Sequence, residues 1–241
     1  EIQQYVIRLL ALRQPMAQDL RVIVASLKNI GDLERIGDYA TNVAKRSLVL
    51  EQFSLPYALT GLAHMSRLVQ ENLKTIIAVV DLIVDAFHEG NKVMIFGNGG
   101  SAADAQHIAG EFINRFLIER PPLPAVALST DTSVITSIGN DYNFDQIFLK
   151  QIKALGKEGD IAWGISTSGN SPNVLKGLKA AKGIGMKTIG MTGKDGGKIG
   201  KMVDFHLNVE SDMTPRVQET HITLAHVICE LVDIKLFNHS A

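Results

Sequence analysis

The sequence predicts an α/β protein, a doubly wound parallel sheet of five strands preceded by an all-helical segment. Three observations carry that expectation. From about residue 92 onward, short apolar runs alternate with longer helical patterns, the rhythm of a parallel sheet covered on both faces. Residues 1 to about 90 carry almost no strand signal, so the change of pattern marks a domain boundary. Two of the apolar runs end in glycine- or serine-rich turns that open helices, at the strand ends where such sheets bind ligands.

In order along the chain, Gln14-Pro15 breaks an early helix over 1–13, and Pro15 suits the first turn of the next. That second helix spans 16–48, with Leu20, Ile23, Leu27, Ile30 and Leu33 recurring at threes and fours as a bundle-facing stripe. A breaker zone at 51–56 follows. A third helix runs from about 57 toward 87 and stops at His88-Glu89-Gly90. Strands are expected at 92–96, 125–128, 161–165, 188–191 and 205–209. Helices are expected at 101–116, 132–138, 145–155, 171–184 and 215–237.

Composition excludes several classes. The 241 residues are 46% hydrophobic and 20% charged with a formal net charge of -1, an ordinary globular balance without the basic excess of a nucleic-acid binder. The single cysteine, Cys229, leaves no internal disulfide framework and fits a reducing compartment. No apolar run reaches membrane-spanning length, and the first residues lack the apolar stretch of a secretory leader. A cytoplasmic protein without membrane insertion or nucleic-acid partner is therefore expected.

The motif Gly97-Asn98-Gly99-Gly100-Ser101 follows the first strand. Its glycines permit a tight turn, and the amides and dipole of the next helix favour an anion such as a phosphate. It lacks the G-x-G-x-x-G spacing of dinucleotide folds and the Lys-Ser/Thr of a Walker loop. Ser166, Thr167, Ser168 and Ser171 put four hydroxyls in six positions after the third strand, a phosphate cradle that needs no lysine. Two such loops on one sheet are far more specific than either alone.

His107 and Glu111 stand four apart on one helix face, an acid/base pair or a plain surface ion pair, and they do not form H-E-x-x-H. Gln218, His221 and His226 on the last helix are weak signals singly, and His221 reads equally as a core histidine. Asn140-Asp141 reads as a turn, and Thr192–Gly197 as a glycine loop. Near the amino end, Glu34, Asp38 and Asn42 share a helix face with Asp32 nearby; they could hold a metal ion or form a solvated face with Arg35.

Read together, GNGGSAADAQHIAGEF, RPPLPAVALSTDTS, GNDYNF, GISTSGNSPNV, TGKDGGK and RVQETHITLAHVICEL appear in order from about residue 72 onward. This part of the chain closely resembles bacterial sedoheptulose-7-phosphate isomerase, also called phosphoheptose isomerase. The resemblance implies the sugar-isomerase (SIS) fold, flavodoxin-like, and a homotetramer. It implies conversion of sedoheptulose 7-phosphate to D-glycero-D-manno-heptose 7-phosphate for the lipopolysaccharide core or an S-layer. It implies substrate contacts at Asn98, Gly99, Gly100, Glu111, Asn140, Asp141, Ser166, Thr167, Ser168, Ser171 and Gln218. Glu111 is the implied base and His226 the second acid/base group, with one zinc ion per subunit on His107, Glu111, Gln218 and His226. Proton transfer between neighbouring carbons through an enediol suits a carboxylate and a histidine.

Gln218 and His226 lie eight residues apart, roughly 12 Å along a straight helix. They share one ion only if Gln218 sits at a non-helical entry or the two come from different subunits.

Two further resemblances bear on function. A relative in the same fold is a binding protein, the DnaA-initiator-associating protein, to which Ile113–Phe116 and Leu236-Phe237 are similar. Glu111, Ser168 and His226 favour the enzyme over that alternative. Residues 1–47 resemble PhoU, the helical regulator of phosphate uptake, with Glu34 and Asp38 on its E-x-x-x-D metal motif; this leaves a phosphate-signalling scaffold as a second alternative. The expected division is a PhoU-like segment over 1–56 and an SIS domain over 57–241 that includes its leading helix, 57–88.

Overall fold

The chain divides into two compact units, Glu1–Leu62 and Ala63–Ala241. The computed structural model describes residues 66, 67 and 69–237, all within the second. The helices expected at 1–13 and 16–48, the break at 51–56 and the Glu34–Asp38 metal reading lie outside the described residues.

Helix α1 (Leu73–His88) leads into β1 (Val93–Gly97), α2 (Gly100–Ile113) and β2 (Ala125–Ala127). Helix α3 (Thr132–Asp141), a 3-10 turn (Phe144–Gln146) and α4 (Ile147–Leu155) precede β3 (Ile161–Ser166). Then come α5 (Pro172–Gly183), β4 (Lys187–Gly193), the four-residue α6 (Gly197–Gly200), β5 (Phe205–Val209) and α7 (Thr214–Phe237). The five strands pair in the order β2-β1-β3-β4-β5, parallel throughout. This is the flavodoxin-type doubly wound order expected from the sequence, with its switch point between β1 and β3.

The strands alternate faces as pleating requires. Val93 and Ile95 join Trp163, Ile161 and Ile165 in a core with α1, α2 and α7. Met94, Phe96 and Ala162 enter the opposite core with α3, α4 and α5. Both faces are dry, which is why the central strands read as continuous apolar runs. At the amino ends of β1 and β3, fully buried Asp160 accepts from Lys92 N at 3.0 Å, Lys92 Nζ at 2.5 Å and Lys157 N at 2.9 Å.

Three differences from the sequence expectation bear on the site. Helix α2 stops at Ile113 rather than 116, because the Arg120 guanidinium takes the carbonyls of Glu111 and Phe112 and Asn114 leaves helical geometry. Asn140-Asp141 closes α3 instead of forming a turn beyond it. The glycine stretch after β4 contains the short α6.

The end of β4 is tied to α7 by His221, a fully buried ring whose Nε2 donates to the Thr192 carbonyl at 2.9 Å. Its Nδ1 has no hydrogen-bond partner among the described residues. Burial pushes its pKa down from 6.5 to about 4, with the Thr192 bond opposing. Between those values the unfolded chain holds a proton that the folded chain does not. His221 therefore costs nothing above about pH 6.5 and subtracts stability as pH falls toward 4. In urea unfolding, wild type should lose ground relative to His221→Gln by about 1.4 kcal/mol per pH unit below pH 6.5. A pH-independent difference between the two would refute this.

Candidate active site

Both expected anion loops lie at the carboxyl edge of the sheet, on adjacent strands, because β1 and β3 pair in register through Gly97 and Ile165. Two reciprocal hydrogen bonds between side-chain amides join them: Asn98 Nδ2 donates to Asn173 Oδ1 at 2.9 Å, and Asn173 Nδ2 donates to Asn98 Oδ1 at 2.8 Å. Asn173 is 2% exposed, and its Oδ1 also accepts from Val174 N. The Asn98 side chain is thus engaged in bracing the loops. Gly99 and Gly100 are exposed beside it.

In the second loop, Ser166 Oγ lies 2.9 Å from Ser171 Oγ and 3.4 Å from Ser168 Oγ, so three of the four expected hydroxyls form one cluster. Ser171 precedes α5 without capping it through its side chain. The positive end of the α5 dipole faces this cluster. Thr167 is half-buried in the same turn. Gly169 adopts φ +64°, and a Cβ there would meet the Gly196 carbonyl oxygen at 2.2 Å. The stretch after β4 backs the serine loop directly: Ile199 N donates to Gly169 O, and Lys198 N to Asn170 Oδ1.

The first loop opens α2, which carries the acid/base pair. His107 Nε2 lies 3.3 Å from Glu111 Oε1 and 2.8 Å from Nε2 of His226, which α7 presents. One ligand atom from each of these three residues lies within 4.8 Å of the others. Two imidazoles and a carboxylate form a donor set suited to an open zinc site. At 2.8 Å the two Nε2 atoms are within hydrogen-bond distance, where one ring donates an N–H and the other accepts. Phe116 packs on the His226 ring with centroids 5.3 Å apart. One turn before His107, Asp104 has its Oδ2 buried with no hydrogen-bond partner among the described residues. Burial raises its pKa to about 6, and the charge of His107 opposes the rise.

Two expectations fare differently. Asn140 and Asp141 are exposed at the end of α3, where Asn140 Nδ2 donates to Asp141 Oδ1 at 2.9 Å. Gln218 lies within unbroken α7, which excludes the non-helical entry. Its amide rests on the first loop instead, where a Cβ at Gly100 would lie 1.9 Å from Gln218 Nε2. The helical rise keeps it roughly 12 Å along the axis from His226. One chain therefore gathers His107, Glu111 and His226, and holds Gln218 elsewhere.

Asn173, Asp104, Phe116 and Arg120 escaped sequence reasoning. Asp104, at three residues before His107, had a helical-spacing signal. Asn173 had none, because its partner is 75 residues away.

Comparison with known proteins identifies the family. The SIS domain family model matches residues 57–193, and the PhoU domain model matches residues 1–47. The phosphoheptose isomerase of Nitratidesulfovibrio vulgaris is 50% identical over 188 residues, covering 78% of this chain and 90% of that protein. That of Geotalea uraniireducens is 58% identical over 162 residues, covering 67% and 86%. The solved phosphoheptose isomerase GmhA from Neisseria gonorrhoeae superposes with a TM-score of 0.69 at 41% identity, covering 78% of this chain and 98% of that one. The chain belongs to the phosphoheptose isomerase family of SIS-domain proteins.

Proposed function

We propose that the protein isomerises sedoheptulose 7-phosphate to D-glycero-D-manno-heptose 7-phosphate. The observation that carries this reading is the convergence of His107 and Glu111, on the helix opened by one anion loop, with His226 of α7, beside a hydroxyl-lined loop on the adjacent strand. In this reading Ser166, Thr167, Ser168 and Ser171 hold the phosphate, aided by the α5 dipole. Fixing that end leaves the ketose carbonyl and its neighbouring carbon for α2 and α7. Asn98, Gly99 and Gly100 shape the floor through their backbone, and Asn140, Asp141 and Gln218 contact the sugar hydroxyls.

The Glu111 carboxylate takes the proton from C1, leaving an enediol, and returns it to C2. His226 moves the hydroxyl proton from O1 to O2, so that atoms and charge balance. His107, Glu111 and His226 are the residues that would hold zinc, which when bound supplies Lewis-acid polarisation of the carbonyl. The same reading has the chain divide into a helical segment, 1–56, and an SIS domain, 57–241, and act as a cytoplasmic homotetramer. Among the described residues no helix is long and apolar enough to cross a membrane.

Assay on sedoheptulose 7-phosphate tests the chemistry. Glu111→Gln and His226→Ala should each lower kcat by about 10²-fold or more with the fold intact. Turnover that survives both changes would sink the mechanism. Mass spectrometry of metal content tests the donor set: His107→Ala should lose the zinc that wild type retains, and retention would remove His107 from the site. Asn173→Ala should spread the two loops, raising KM by about tenfold with kcat within about threefold. Unchanged KM would mean that the amide pair does not set the span of the substrate.

A further inference from the structure

The Arg120 side chain is 1% exposed and Asp233 4%, a charge pair inside the protein that the proposed chemistry does not use. Arg120 lies in the connection between α2 and β2. Its Nε donates to Asp233 Oδ1 at 2.7 Å. Its Nη2 donates to the Glu111 carbonyl at 2.8 Å, and its Nη1 to the Phe112 carbonyl at 2.7 Å. Longer contacts from Nη1 reach Pro121 O at 3.1 Å and Asn114 O at 3.4 Å.

Those carbonyls include ones that the end of a helix leaves unpaired, and a cation there also meets the negative end of the dipole. The planar fork of an arginine can serve several acceptors in a fixed geometry, which a lysine cannot. Asp233 lies on α7, seven residues or two turns beyond His226 and on the same face. One guanidinium thus grips the backbone of Glu111 and the helix that carries His226.

We propose that Arg120 and Asp233 are positioning residues that set the separation and orientation of Glu111 and His226, acting through the ends of α2 and along α7. The inference rests on the isomerase reading, since it assigns the pair's effect to the acid/base step. The phosphate loop lies on a different strand, so the effect is confined to the chemical step. A clamp that served stability alone would lower the melting temperature and leave the kinetics of the folded enzyme alone.

The test is a double-mutant cycle on sedoheptulose 7-phosphate with folded protein, comparing wild type, Arg120→Lys, Glu111→Gln and the double variant. Arg120→Lys should lower kcat at least tenfold with KM within about twofold. Added to Glu111→Gln it should cost almost nothing more, because the group it positions is already gone. Combined with Ser168→Ala, its effect should instead multiply. Asp233→Asn, which keeps the volume and an acceptor for Nε, gives the second arm and should show the same pattern more weakly.

Normal kcat in folded Arg120→Lys and Asp233→Asn, with Glu111→Gln inactive, would overturn the positioning role alone. Multiplicative losses with Glu111→Gln would do the same, and loss of the fold in both variants would assign the pair to stability only. Full turnover in Glu111→Gln would overturn the base assignment, and this inference with it.

Discussion

In a parallel sheet, neighbouring strands finish on the same edge, and the pairing of β1 with β3 brings their ends level at Gly97 and Ile165. That register is held at both ends by polar groups. At the amino end, buried Asp160 takes the backbone and side chain of Lys92 and the amide of Lys157. At the carboxyl end, the Asn98–Asn173 amide pair closes the gap between the loops. A slip of one residue would turn the apolar faces of β1 over and separate Asn98 from Asn173. The relation of the anion loops to one another is therefore a consequence of strand register.

Helix α7 carries the second constraint. It runs in the same direction as α2, and the two are joined at three levels. Gln218 lies on Gly100, His226 meets His107, and Asp233 reaches the end of α2 through Arg120. Breaking a buried pair such as Arg120–Asp233 from one side commonly costs about 3–5 kcal/mol, because the remaining charge has lost its compensation. At its start α7 also holds β4 through His221, and the stretch after β4 backs the serine loop. The acid/base cluster and the hydroxyl cluster thus share one helix as their mechanical reference.

Most of the fold and the local parts of the site were legible in the sequence. Strand runs, the loops after β1 and β3, and the His107–Glu111 spacing are signals contained in a few consecutive residues. What escaped depends on contacts between distant segments. Asn173 looks like an ordinary second residue of a helix until Asn98 faces it. Arg120 sits in a proline-rich connection that gives no sign of burial, and only folding brings Asp233 to it, 113 residues later. The end of α2 was misplaced for the same reason, since the group that stops the helix is Arg120. Asp104 was overlooked although its spacing to His107 is local, because desolvation leaves no trace in a helical pattern.

The eight-residue interval between Gln218 and His226 gives the site its remaining logic. An unbroken α7 separates them by more than any single ion can span, so the interval fixes two tasks on one helix. Gln218 packs where the first loop turns into α2, and a side chain at Gly100 would displace it. His226 belongs to the acid/base cluster two turns on, braced from one side by Phe116. His107, Glu111 and His226 each bring one ligand atom within 4.8 Å of the others, a donor set that would hold a zinc ion with a position left open. In the proposed reaction an ion held there would leave a position for substrate oxygen or water and would supply Lewis-acid polarisation beside Glu111.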